Sequence, residues 1–411
     1  MSILHKGFYI IGDRMKKAGG ALLILLGLSA TQVEANDKIR ISGFGSIVGG
    51  IVIDGDGYWA RLPEGAGQYS DGIELQSESK VAVQARYAAT DKLSVTGQVL
   101  VRGVNDFEPN LEWLYATYDI TPDTSIKAGQ MRLPVYHFSD YMDVGLTYPW
   151  LRVPSDAYSL ALTNYHGISI DMNFDFDEVT SHLKLYTGKK NTDPNKLITL
   201  IDQYKGEQLY DDNGNFRGLR GIRTTKDYKD MMGVVLDSNY DALTLRLSYL
   251  QGEEKFTSYA EGQYPSNPAF GGEWVDTEFL DISLQYDQDE VLAMIEWNNY
   301  DNIYTSWFVS FAYRLDEHWT PYIFYSQFEG DFRFIAPGGI SAGFEDAETG
   351  SLDDDYNSIG IGARYNLTPY SALKFELLQF NDDGDAAVYI DENQDGNTDS
   401  TAFFVSLDFM F

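Results

Sequence analysis

The chain has no cysteine among its 411 residues. That absence removes disulfide frameworks, cysteine-held zinc and thiol catalysis together. Basic residues are scarce: 30 Lys plus Arg stand against 62 Asp plus Glu, a formal net charge of −32. Phosphate-rich partners need basic patches, so the balance argues against nucleic acid. Long apolar runs are missing beyond the N-terminus. After residue 35 none approaches the roughly 18 residues of a spanning helix, and mean hydropathy is −0.29. Histidine is rare. His137, His166, His182 and His318 follow residue 35, and none stands in a recognisable nucleophile motif. No enzymatic role is expected.

What is plentiful is glycine and aromatic: Gly 38, Tyr 29 and Phe 23. The N-terminus reads as an export signal. Met15, Lys16 and Lys17 form a basic start, residues 18–30 are short and apolar, and Val33 and Ala35 suit a small-residue cleavage site. Cleavage is expected after Ala35, with translation starting at Met15, because residues 1–14 do not fit such a signal. A precursor peptide spanning Arg14 and Met15 would overturn that start. The expected organisation is therefore a signal peptide over 1–35 and one β-barrel domain over 36–411.

The last eleven residues read TAFFVSLDFMF. Phe403, Val405, Leu407, Phe409 and Phe411 alternate with a mixed face of Ala402, Phe404, Ser406, Asp408 and Met410. Successive strand side chains point to opposite faces, so one face is apolar and the other tolerates water. An open apolar edge invites aggregation. In a closed membrane barrel the same strand is apolar toward lipid and polar toward the lumen. This ending resembles the C-terminal signal of bacterial outer-membrane barrels, with Phe409 and Phe411 as the residues read by the barrel assembly machinery.

The pattern repeats from Lys38 onward. About ten residues alternate, a short turn follows, ten more alternate, and a long polar connection follows. Expected strands include 38–53, 93–102, 112–120, 124–131, 231–238, 319–328 and 357–365. Long outer connections are expected at 54–72, 188–229, 329–355 and 381–400. The count is sixteen strands, with 14 or 18 left open. Short turns on one side and long loops on the other are the asymmetry of transmembrane barrels. The expected fold is all-β, a transmembrane antiparallel up-and-down β-barrel; a soluble β-sandwich is the rival. A barrel of 16 to 18 strands encloses a water-filled channel. Tyr87, Tyr118, Tyr286, Tyr313 and Tyr365 sit near the short turns, where an interfacial girdle belongs. Ordinary strand preference for Tyr is the plainer reading.

In length, strand count and both ends the chain resembles the general porins of Gram-negative bacteria. That resemblance implies an outer-membrane homotrimer beside lipid and lipopolysaccharide, and a third extracellular loop folded into the barrel. Residues 132–166 supply such a loop. It carries Tyr136, Phe138, Tyr141, Met142, Leu146, Tyr148 and Trp150, too apolar for solvent, and Pro134, Pro149 and Pro154 stiffen it. Arg132, Asp140, Tyr141, Asp143, Arg152 and Asp156 are the candidate constriction residues. Their carboxylates either stand in the lumen or anchor the loop; the sequence leaves both open. Resemblance to general porins implies a basic wall opposite, here Arg40, Arg86, Arg102, Arg246, Arg314, Arg364 and Lys374. These bases lie close to the short turns and could instead ring the periplasmic mouth. The short loop-three motif of the best-known enterobacterial porins has no match here.

The outer connections hold much of the acid, which favours cations and disfavours a phosphate- or sulfate-selective pore. In the last connection, Asp391, Asn393, Asp395, Gly396, Asn397 and Asp399 follow the spacing of an EF-hand-like Ca²⁺ loop. The twelfth position is Ala402 rather than the bidentate Glu, so a turn-rich acidic loop is the competing reading. The functional expectation is passive diffusion of small hydrophilic solutes and ions, moderately cation-preferring. The alternative is a substrate-specific channel for a sugar or another nutrient, marked by aromatics along the lumen.

Overall fold

The computed structural model describes residues 38–55, 58–62, 65–160, 162–191, 223–259, 268–301, 303–333, 351–382 and 399–411. The signal peptide, Met15 and most of the Ca²⁺-loop candidate (Asp391, Asn393, Asp395 and Asn397) lie outside them. Within them, sixteen antiparallel strands close into a barrel. We number them β1 (Ile39–Asp54), β2 (Lys80–Ala88), β3 (Leu93–Arg102), β4 (Pro109–Thr121), β5 (Thr124–Arg132), β6 (Asn164–Phe176), β7 (Val179–Lys190) and β8 (Arg223–Tyr240). The second half is β9 (Leu243–Tyr259), β10 (Val275–Gln288), β11 (Val291–Tyr300), β12 (Tyr304–Tyr313), β13 (Trp319–Arg333), β14 (Ser351–Thr368), β15 (Ser371–Asp382) and β16 (Ser400–Met410). Each pairs with the next, and β16 returns to β1. Closure leaves no free edge, the condition for crossing lipid with strands.

Alternation builds the two faces. On β3, Val95 and Val99 are exposed while Ser94, Thr96, Gln98 and Arg102 are buried. On β16, Phe403 is exposed, with Val405 and Leu407 half-buried beside it, while Ala402, Phe404, Ser406 and Asp408 are buried. Ile295, Val309, Ile323, Ile361 and Leu377 continue the exposed apolar face round the barrel. Charge and hydroxyl are thus turned inward and hydrocarbon outward, the reverse of a soluble core. Tyr87, Tyr118, Tyr286 and Tyr313 are exposed near the short turns, and Tyr365 packs on Trp319 at 4.7 Å between ring centroids.

The two-residue turns have a shared device. Asp177, Asp241 and Asp289 adopt φ of 54°, 51° and 50°. Tight hairpins require left-handed backbone, and Asp is among the residues that tolerate it.

Several strands are longer than their apolar alternation. β7 runs to Lys190, β8 starts at Arg223, β13 runs to Arg333 and β14 starts at Ser351. Above the lipid band neither face needs to be apolar, so the sequence pattern stops while backbone pairing continues. Cross-strand charges hold the extension: Lys229 lies 2.8 Å from Glu253, and Lys255 lies 3.6 Å from Asp227. The first long connection also contains a hairpin, Tyr58–Leu62 with Gly65–Tyr69. Tyr69 at its end packs edge-on against the Phe404 ring at 4.9 Å.

Candidate pore and its inward loop

The chain leaves the sheet after Arg132 and rejoins it at Asn164, and these two residues are register partners. Pro134 has no N–H to donate and stops the ladder. Between them, residues 133–160 and 162–163 fold into the barrel. Leu133, Val135, Tyr136, Phe138, Tyr148, Trp150, Tyr158 and Leu160 are buried among inward-facing side chains of the wall. Phe138 and Tyr158 contribute ring contacts within the segment, and Trp150 reaches Phe308 of β12 at 5.7 Å.

The wall supplies the polar partners that an irregular backbone lacks. Glu296 of β11 accepts from the His137 N–H at 2.9 Å and the Tyr158 hydroxyl at 2.7 Å. Asn298 donates to the Ala157 carbonyl at 2.9 Å. Tyr136 and Tyr304 of β12 meet hydroxyl to hydroxyl at 2.9 Å. Ser326 of β13 donates to Asp156 at 2.5 Å, and Ser358 of β14 donates to the same carboxylate. Glu376 of β15 accepts from the Leu151 N–H at 3.3 Å. A loop inside a barrel must have its backbone groups satisfied, because an unmet buried polar group costs about 1–3 kcal/mol.

The candidate constriction residues divide by environment. Asp143 lies 2.8 Å from Arg102 and 3.5 Å from Lys80, and also pairs with Arg132. Burial alone would raise its pKa, but Arg102, Arg132 and Lys80 hold the carboxyl well below the usual range. Glu112 of β4 bridges the same two guanidiniums, at 2.7 Å from Arg132 and 3.3 Å from Arg102. Arg152 pairs with Glu78 at 2.5 Å and Glu376 at 3.3 Å, and its guanidinium lies 4.2 Å over the Phe404 ring. Asp156 is buried on Ser326 and Ser358, and the Ser155 hydroxyl donates to it at 3.3 Å. Asp140 differs: its side chain is 49% exposed, 3.6 Å from Lys184 of β7. Tyr141 is half-buried against Phe138 at 5.4 Å. Of the two readings left open by the sequence, Asp143 and Asp156 follow the anchoring one, because both are engaged by wall contacts. Only Asp140 of the three faces water.

The inward-facing bases are engaged in the same way. Arg246 donates to the Pro134 carbonyl at 2.8 Å and pairs with Asp237 at 2.8 Å. Arg364 donates to the Leu146 carbonyl at 2.8 Å. Lys374 donates to the Gly145 and Trp150 carbonyls, each at 2.5 Å, and pairs with Asp408 at 3.1 Å. Arg102 holds Asp143. Arg314 caps a short turn, 2.6 Å from Asp287 and 2.9 Å from the Asp289 carbonyl. Four of the seven expected bases thus tether the loop. Arg40 and Arg86 alone are exposed on the inner face.

Sequence reading passed over the acids that receive the loop: Glu78, Glu112, Glu296 and Glu376. For Glu296 and Glu376 the signal was present. Glu296 is the lone acid of VLAMIEWNNY, and Glu376 is the one acid in the interior of SALKFELLQFND. His137 is buried, its Nδ1 2.9 Å from the Ser283 hydroxyl, and burial with the Arg246 charge lowers its pKa to about 4. Ser283 is fully buried, so this Ser–His contact offers no route to a substrate.

The aromatic cue for a sugar channel takes an unexpected form. Phe279, Tyr300, Tyr304, Phe328, Tyr356 and Phe380 form a belt across β10–β15, with successive centroids 6.1, 5.7, 4.9, 4.6 and 5.4 Å apart. All six are buried. They pack the interior and present no open face. Inner-face positions that keep exposure on β1–β7 include Arg40, Ser42, Gln84, Arg86, Tyr115, Lys127, His182 and Lys184, and on later strands Asp237, Gln285 and Arg364. Asp399, the one described residue of the Ca²⁺ candidate, belongs to no metal-holding cluster among the described residues.

The geometry defines a transmembrane β-barrel of the porin fold with a loop packed inside it. No protein-family model and no curated protein sequence matches the chain. Solved structures do. The chain is similar to OmpF of Salmonella typhi, in its complex with daunomycin, at 14% identity and a TM-score of 0.54, over 92% of this chain and 99% of that one. It is similar to the outer membrane channel DcaP of Acinetobacter baumannii at 9% identity and 0.53, over 92% and 99%. It is similar to an anion-selective porin from Comamonas acidovorans at 12% identity and 0.51, over 91% and 100%. At these identities the likeness is one of fold.

Proposed function

We propose that the chain is an outer-membrane channel for passive diffusion of small hydrophilic solutes and ions. The observation that carries this reading is the division of the interior. Most inner-face side chains of β9–β16 are buried, many of them against the loop, while Arg40, Ser42, Gln84, Arg86, Lys127 and Lys184 on β1–β7 stay at least partly exposed. The passage is the strip between those strands and the Asp140–Tyr141 side of the loop. A passage confined to part of the cross-section by the loop favours low conductance and discrimination by size. The outer connections are acidic and the strip is basic, so the two oppose each other and the preference for cations is moderate. We extend the proposal to a homotrimer in the outer membrane of a Gram-negative bacterium, delivered by the signal over 1–35 and the barrel assembly machinery, with lipopolysaccharide around it. Ca²⁺ in the Asp391–Asp399 stretch is part of the same proposal. Equilibrium dialysis of wild type against D391N/D395N tests it.

Single-channel conductance in a planar bilayer, with reversal potential across a KCl gradient, tests the function. Small steps in groups of three, reversing on the cation side, are expected. Well-folded protein without conductance would mean that residues 133–163 seal the barrel.

A further inference from the structure

Arg40 of β1 and Arg86 of β2 are direct cross-strand partners. Both face the interior and both are exposed. Neither forms an ion pair or side-chain hydrogen bond with any described residue. Arg102, Arg132, Arg152, Arg246 and Lys374, by contrast, are each tied to a carboxylate. Like charges directly opposite on paired strands are destabilising, and an anion between the two guanidiniums would relieve that repulsion. One rung further along, about 7 Å away, Ser42 is opposite Gln84. These two, with Phe44, Gln98, Trp113 and Val144, line a cavity of about 640 Å³. That volume is in the range of small-molecule sites, which combine apolar walls with a few polar groups.

We propose that the Arg40–Arg86 pair and the adjoining cavity bind a small organic anion: a carboxylate held by the two guanidiniums, with an aromatic or aliphatic body in the cavity. Guanidinium forks match carboxylate geometry, and Phe44, Trp113 and Val144 supply apolar contact that an inorganic ion cannot use. Ser42, Gln84 and Gln98 offer donors and acceptors between the two ends. The site lies on the strip proposed above as the passage, so it deepens the channel reading, but binding itself does not require transport.

The test is calorimetric titration of the detergent-solubilised full barrel with phenylacetate, phenylacetamide and inorganic phosphate. Phenylacetate is expected to bind, with the neutral amide and phosphate at least tenfold weaker. R40Q/R86Q is expected to weaken phenylacetate at least tenfold while leaving the thermal unfolding profile in place, and wild-type affinity is expected to fall as KCl rises. Equal affinity in R40Q/R86Q, phosphate binding as tightly as phenylacetate, or no phenylacetate binding at millimolar concentration would each overturn the site. Conductance measured on the same preparation separates the two ideas. Binding without conductance removes the channel and keeps the site; conductance without binding does the reverse.

Discussion

Asp143 of the inward loop lies 2.8 Å from the Arg102 guanidinium, 41 positions away in the chain. Arg132, at the root of the loop, grips the same carboxylate and also Glu112. Two acids and two guanidiniums therefore alternate at the point where the loop leaves the wall, with Lys80 beside them. The charges compensate one another in a buried place, so the network fixes the loop's departure angle. From there the segment is carried across the interior to β9–β15.

Removing one member leaves its partners unmatched. Asp143→Asn strips the loop-side acid from Arg102, Arg132 and Lys80 while Glu112 remains. Breaking a buried pair in this way costs about 3–5 kcal/mol. The expected outcome is a lower denaturant midpoint together with larger single-channel conductance, because the loop root is loosened. Urea unfolding followed by tryptophan fluorescence, beside bilayer recording, reads both. An unchanged conductance with an unchanged midpoint would show that the network does not hold the loop.

His137 makes stability depend on pH. Its folded pKa is lowered to about 4, against an unfolded value of about 6.5. The unfolded chain therefore takes up the proton first as pH falls. The contribution is complete above about pH 6.5, shrinks between there and about pH 4, and is gone below. The gap of about 2.5 units corresponds to roughly 3 kcal/mol. Unfolding free energy measured from pH 7 to pH 4 should fall by that order in wild type. In His137→Gln the slope over this window should be much flatter; an equal slope would assign the dependence to other groups.

The barrel was legible because alternation is local. A residue's face follows from its parity along the strand, and Asp177, Asp241 and Asp289 mark turns between alternating runs. The loop's inward course was legible because Tyr136, Phe138, Tyr148 and Trp150 have no stable place in water. Its partners were not. Leu151 and Glu376 are 225 positions apart, and Tyr158 and Glu296 are 138 apart. Parity gives the face of Glu296 but neither its height in the barrel nor what crosses the lumen in front of it. Whether Asp156 stood in the lumen or anchored the loop stayed open for the same reason: nothing local announces Ser326 and Ser358. The polar strand extensions, such as Arg223 to Lys229, were missed because strands beyond the lipid band carry no apolar face.

The seam of the barrel makes a separate prediction. Gly43 donates to the Phe411 carbonyl at 2.8 Å, and the Phe411 N–H returns to Gly43 at 2.9 Å. A Cβ on Gly43 would clash with the Phe411 ring. Gly43→Ala should therefore destabilise the closed barrel by about 1–3 kcal/mol through overpacking. Removing the ring in Gly43→Ala/Phe411→Ala should restore part of that loss in vitro. In cells, Phe411→Ala alone is expected to reduce assembly into the membrane. Heat-dependent mobility on gels separates folded from unfolded barrel in each variant. No rescue in the double variant would show that the ring is not what excludes the methyl.

The last prediction locates the passage. Asp140 is the loop acid that faces water, and Lys184 stands 3.6 Å away on the wall. A permeating ion that runs between loop and β1–β7 must pass both. At about 5 Å in water a unit charge contributes about 0.8 kcal/mol, and salt reduces it. Asp140→Asn should therefore shift the permeability ratio toward anions by roughly two- to fourfold, and Lys184→Gln should shift it toward cations by a similar factor. Reversal potentials across a KCl gradient give the sign directly, and lowering the ionic strength should enlarge both shifts. Opposite shifts place the ion path along this strip. Shifts of the same sign, or none in either variant, would mean that ions take another route or that the loop closes this one.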